Sequence, residues 1–192
     1  MDIQHSAIRE LHEFLTSQGI PYALIGGIAV QFWGEPRYTQ DVDLTVVLDM
    51  AHERELVHTI TSHFAPRISN ADVFALDNRV ILVRSASGCP IDISLGLPGY
   101  EEEVIARAVS VDLSPNARGI RVCTAEDLVV MKIVAGRPRD IDDMEGIIIR
   151  QQDALDIDYI RLKLKGFDEL LETSELSERF ELIETNIHMG TP

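Results

Sequence analysis

The sequence predicts an α+β fold: a mixed α/β part over residues 1–123, followed by a helical part over residues 124–192 packed on it. Short β-branched runs alternate with helical periods as far as Cys123, with glycine turns between several of them. From Thr124 onward the period is helical throughout. The 192 residues, 45% of them hydrophobic, can furnish a core, which excludes disorder as the main state. No internal repeat, low-complexity tract or long linker interrupts the chain, so the two parts are expected to pack together.

Each element has its own warrant. Ile3, Ile8, Leu11, Phe14 and Leu15 recur at helical spacing and stop at Gly19, with Pro21 beyond. Residues 22–25 form a short apolar strand, Gly26-Gly27 a turn, and Ile28 to Trp33 a brief helix ending near Gly34. Val42, Leu44, Val46 and Val47 make a second strand, and residues 52–64 a helix. Two further strands, 79–85 and 90–95, flank the turn signal Ser87-Gly88. A short helix over 100–108 starts on Glu101-Glu102-Glu103, favourable at the positive end of a helix dipole. Strands 109–113 and 120–123 flank Ser114-Pro115-Asn116. Thr124-Ala125-Glu126-Asp127 then reads as a capping box opening a helix to Gly136, with helices to follow over 138–151, 156–165, 167–172 and 175–187.

Seventeen bases against 32 acids give a formal net charge of −15, and the acids are spread along the chain. Such a field repels polyanions at long range and disfavours a broad basic surface for nucleic acid, while leaving room for a local basic pocket. Cys89 and Cys123 show no metal-ligand spacing and read as buried small hydrophobes in a reducing cytoplasm. The six histidines, His188 among them, also lack ligand spacing. The N-terminus has no leader pattern, and no apolar run reaches the roughly 18–20 residues of a membrane span. Walker A, Gly-x-Gly-x-x-Gly and Gly-x-Ser-x-Gly patterns are absent, so P-loop hydrolase, Rossmann and serine-hydrolase readings have no support.

Three Asp-x-Asp pairs occur, at 41/43, 140/142 and 156/158. On a helix, residues two apart diverge; on a strand they share a face roughly 6.5–7 Å apart. Only Asp41 and Asp43 open a strand, so only they can converge on a cation. Like charges so close raise one another's pKa unless a cation intervenes, and a hard oxygen-seeking metal is the natural one. A third carboxylate is expected on a neighbouring strand, and Asp92 within Pro90-Ile91-Asp92-Ile93 fits. Gly26-Gly27, between strand and helix, lets backbone N–H groups approach a phosphate, and 13 residues separate Gly27 from Asp41.

Ile25-Gly26-Gly27, Asp41-Val42-Asp43-Leu44 and Ile91-Asp92-Ile93 resemble the nucleotidyltransferase superfamily of the DNA polymerase β type. Gly-Gly-x-Ala with Arg37-x-Thr39-x-Asp41-x-Asp43 is most similar to AbiEii/AbiGii-type toxin nucleotidyltransferases, over about residues 20–150; aminoglycoside nucleotidyltransferases share a similar stretch. The resemblance implies a mixed, partly antiparallel sheet with flanking helices and a nucleoside triphosphate donor. It implies Mg²⁺ on Asp41 and Asp43, Asp92 as metal ligand or general base, and a nucleotide contacted by Gly26, Gly27, Arg37 and Thr39. It also implies a cognate antitoxin as partner, and leaves the acceptor hydroxyl open among tRNA, protein and small molecules.

Lys132 is the sole lysine in the first 162 residues and lies in the apolar run Val129–Val134. It reads either as a snorkelling side chain or as a cation at the triphosphate. Arg137, Arg139 and Asp140 match residues that follow a similar lysine in the AbiEii-like proteins, which adds both arginines to the nucleotide set; Asp140 and Asp143 read equally well as structural partners of arginines. Two alternatives accompany the transferase reading: a cationic small-molecule acceptor such as an aminoglycoside, and a binding module that keeps the fold without the reaction.

Overall fold

The structure, a computed structural model, describes all residues except 1, 2, 48, 49, 114, 116, 191 and 192, and leaves out the side chains of Met50 and His188. The readings for Ser114, Asn116, the His188 side chain and the first two residues therefore lie outside the described residues. The chain divides into two compact units: Met1–Ile28 with Tyr38–Cys123, and Ala29–Arg37 with Thr124–Pro192.

The first unit is built on one mixed sheet. Its strands are β1 (Tyr22–Leu24), β2 (Val42–Val46), β3 (Ala65–Pro66), β4 (Val80–Arg84), β5 (Pro90–Leu95), β6 (Val109–Val111) and β7 (Ile120–Val122), in the spatial order β3-β4-β5-β2-β1-β7-β6. The pairs β2–β5 and β1–β7 are parallel, and the other neighbours antiparallel. Alternation sets the faces: Val42, Leu44 and Val46 on β2 and Ile91, Ile93 and Leu95 on β5 are buried, so Asp43 and Asp92 stand on the opposite face. Helix α1 (Ile3–Ser17) buries Ala7, Ile8, Leu11 and Leu15, and its stop at Gly19 takes the left-handed backbone (φ +65°) that glycine adopts without strain. Helices α3 (Glu53–His63), α4 (Ala71–Asn78) and α5 (Tyr100–Arg107) complete the unit.

Strand β3 and helix α4 have no counterpart in the sequence reading. The apolar residues of α4 fall on no single stripe: Ala71 and Ala75 are buried but Val73 is exposed, and both flanking residues, Asn70 and Arg79, are left-handed.

Helix α2 (Gly26–Trp33) starts in the first unit and continues into the second, which also holds α6 (Ala125–Ala135), α7 (Pro138–Gln151), α8 (Ile157–Leu171) and α9 (Glu175–Gly190). Thr124 caps α6, its Oγ accepting the Asp127 N–H, and Gly136 (φ +62°) ends it. Residues 29–37 cluster with these helices because α7 holds them. Arg150 donates to Gly34 O and Gln151 to Trp33 O, and Gly34 lies so close to Ile147 that a Cβ there would meet its side chain at 2.8 Å. Where the sequence suggests helices over 156–165 and 167–172, α8 runs unbroken through Gly166, because buried Ile160, Leu164 and Asp168 hold one continuous face. Asp168 then caps α9 by accepting the N–H groups of Leu176 and Ser177.

Candidate active site

Asp41, Asp43 and Asp92 come together in the first unit. Asp43 and Asp92 are direct register partners on the parallel pair β2–β5, and Asp41 lies one residue before β2. One carboxylate oxygen from each lies within 4.8 Å of the others. Hydrogen bonds pin two of the three: Thr39 Oγ1 donates to Asp41 Oδ1 (2.8 Å), and the Gly27 N–H donates to Asp43 Oδ2 (3.4 Å). Thr39 is itself tethered, its carbonyl accepting from Gln4 Nε2 at 2.8 Å. Burial lifts the Asp92 carboxyl above its ordinary value; Arg67 offsets part of this and the charge of Asp41 adds to it.

The two glycines are required by this packing. Gly26 is left-handed (φ +60°), and a Cβ there would collide with the Asp43 carboxylate; at Gly27 it would meet Thr39 Oγ1 at 2.5 Å and Cβ at 2.7 Å. The N-terminus of α2, where the first N–H groups have no partner within the helix, thus stands against the carboxylates with no side chain between.

This cluster fits a divalent metal. Its donors are all hard oxygens, and the buried Asp92 Oδ1 makes no aligned hydrogen bond, although Arg67 Nη2 lies 2.6 Å away as an ion-pair partner.

The cations expected near the nucleotide gather in the second unit. Lys132 is 6% exposed, and its ammonium donates to Asp140 Oδ1 and Asp143 Oδ2, each at 2.8 Å. Arg37 grips Asp143 with two hydrogen bonds, and Arg137 does the same to Asp140. Burial pushes both carboxyls up, but the arginine and lysine contacts outweigh it and hold them below the ordinary aspartate value. The ion pairs of Asp140 and Asp143 with arginines are the structural alternative read from the sequence, and Lys132 sits between them. The Arg139 side chain is exposed.

Arg67 was not visible in the sequence. It stands in a stretch without period, and only the β3–β4 pairing, with the Arg67 N–H donating to Leu82 O at 3.0 Å, brings it to Asp92.

Among solved structures, an antigenic nucleotidyltransferase-like protein from Paracoccidioides brasiliensis is 18% identical, with 92% of this chain and 93% of that chain covered at a TM-score of 0.52. The antibiotic-resistance factor ANT(2'')-Ia in complex with adenylyl-2''-tobramycin is 16% identical, with 88% of this chain and 98% of that chain covered at a TM-score of 0.55. The solution structure of the same factor matches at 16% identity over 90% of this chain and 97% of that one, with a TM-score of 0.54. At these identities the likeness establishes the fold: a nucleotidyltransferase-type mixed sheet with flanking helices. No curated protein sequence matches the chain. The profile of the nucleotidyl transferase AbiEii toxin family, from type IV toxin–antitoxin systems, matches residues 13–182. The chain therefore belongs to the AbiEii family of nucleotidyltransferases.

Proposed function

We propose that this nucleotidyltransferase moves a nucleoside monophosphate from a nucleoside triphosphate to an acceptor hydroxyl, with Mg²⁺ held by Asp41, Asp43 and Asp92. The observation that carries this reading is the convergence of three carboxylates beside a glycine turn stripped of side chains. The acceptor oxygen forms a bond to the α-phosphorus, the bond to the bridging oxygen breaks, and pyrophosphate leaves. With no side chain at Gly26 or Gly27, the triphosphate can approach the N-terminus of α2 closely. Thr39 holds the Asp41 carboxylate in place, Asp92 completes the set of carboxylates that would hold the metal, and the acceptor proton passes to water. Bound Mg²⁺ supplies the positive charge that offsets the phosphate oxygens. Lys132 and Arg37, already committed to Asp140 and Asp143, act by holding α7 and the residues before Tyr38 in register.

The reaction belongs in the cytoplasm, where triphosphate and Mg²⁺ are available and the free thiols Cys89 and Cys123 stay reduced. Among the described residues, no helix is long and apolar enough to cross a membrane. The family's place in toxin–antitoxin systems supports a cognate antitoxin as partner. The net charge of −15 favours a second reading of the acceptor, a cationic small molecule, and the fold likeness to ANT(2'')-Ia points the same way.

The test is transfer of α-labelled triphosphate to tRNA, protein and aminoglycoside fractions in the presence of Mg²⁺. Label in one fraction identifies the acceptor class. Label in none, with every donor base supplied, contradicts the transferase reading and favours a chain that acts by association.

A further inference from the structure

Asp92 has one charged neighbour that the proposed reaction leaves unused. Leu82 faces Asp92 across β4–β5, and the Arg67 N–H is bonded to the Leu82 carbonyl, so the Arg67 side chain enters the site from the β3 edge of the sheet. Its Nη2 lies 2.6 Å from Asp92 Oδ1, with the two side chains 20% and 31% exposed. Oδ1 is buried and makes no aligned hydrogen bond, so what it receives from the protein is the charge of Arg67.

We propose that Arg67 is a positioning residue of the metal centre, an inference that rests on the metal reading above. By holding Oδ1 it fixes the orientation of the Asp92 carboxylate and leaves the other oxygen as the ligand. It also offsets one of three negative charges: three ionised carboxylates carry −3, and with Arg67 the group presents −2, which one divalent ion neutralises. Arginine suits the task because its guanidinium spreads a positive charge over a broad planar head that holds Oδ1 as an ion-pair partner. The site thus gives up some metal affinity in exchange for a fixed third carboxylate.

Mn²⁺ binding to the full chain, followed by electron paramagnetic resonance, separates this role from a purely structural one. Removing a positive charge this close to the metal should make Arg67→Gln bind Mn²⁺ about three- to tenfold tighter than wild type. Its kcat should fall about tenfold while KM for the triphosphate stays unchanged. Mn²⁺ affinity in Arg67→Gln equal to or weaker than wild type overturns the proposal. Arg67→Lys keeps the charge but not the planar head, and carries the test if the Gln variant does not fold. Wild-type Mn²⁺ affinity with reduced kcat supports the proposal, and unchanged kcat overturns it. Asp43→Asn serves as the reference: wild type that binds Mn²⁺ no better than this variant overturns the metal reading, and the Arg67 proposal with it.

Discussion

Asp41 and Asp43 illustrate how a residue pair can be costly for folding and still be held. Their charges repel, and what restrains them is local: Thr39 on Asp41, and the Gly27 N–H on Asp43. Asp41→Asn and Asp43→Asn should each abolish transfer, by about a thousandfold or more, with melting temperatures no lower than wild type because repulsion is relieved. A drop in melting temperature matching the loss of activity would make these residues structural. Two left-handed glycines provide a matched comparison. Gly19 has nothing within 4 Å of an added Cβ, so Gly19→Ala should cost only about 1–2 kcal/mol of backbone strain and leave transfer intact. Gly26→Ala carries the same strain and also drives a methyl into Asp43, so a urea titration should show a larger loss and transfer should fall at least about a hundredfold. Equal effects at both positions would show that Gly26 is only a turn.

At the scale of elements, the charged cluster of α6 and α7 joins Lys132 to Asp140 and Asp143, and each aspartate to an arginine. Lys132→Met would leave two buried carboxylates with one partner fewer, and chemical denaturation should show a loss of about 3–5 kcal/mol. A loss under about 1 kcal/mol would mean that the arginines suffice. Asp140 and Asp143 have pKa values below those of the unfolded chain, so their contribution is complete above the ordinary aspartate pKa of about 3.9. It is lost as pH falls through their lower folded values. Stability should therefore fall steeply in acid below about pH 4, and less steeply in Asp143→Asn, as followed by denaturant midpoints across that range. Identical acid profiles for the two proteins would remove Asp143 from the account.

The same elements show what the sequence makes legible. A capping threonine, an end-stop glycine, a β-branched run and carboxylates two apart at the start of a strand are local signals, and α6, β2 and the Asp41/Asp43 pair carry them. Asp92 is recognisable because a charge between Ile91 and Ile93 needs a reason. Arg67 is not, because its place depends on a two-residue strand whose pairing partner lies 17 to 19 residues away. Helix α4 escapes because it lacks an apolar stripe, and the continuity of α8 through Gly166 depends on tertiary burial that outweighs a glycine's low propensity.

Over the whole molecule, the net charge of −15 limits the partners more than it limits the fold. Long-range repulsion among these acids is screened beyond about 10 Å at 0.1 M salt, so moderate NaCl should raise the melting temperature by a few degrees relative to low salt. No rise would mean that the acids are already balanced by close ion pairs. The three carboxylates proposed to hold the metal are a small part of that charge, yet the proposed chemistry rests on them. The central claim is that the α-phosphoryl group is transferred with its nucleoside and the outer two phosphates leave together. Parallel reactions with α-labelled and γ-labelled triphosphate, in wild type and in Asp41→Asn with Asp43→Asn, test it most directly. The account predicts α label on the acceptor and γ label in pyrophosphate, both lost in the double variant; γ label on the acceptor, or transfer that survives loss of both carboxylates, would contradict it.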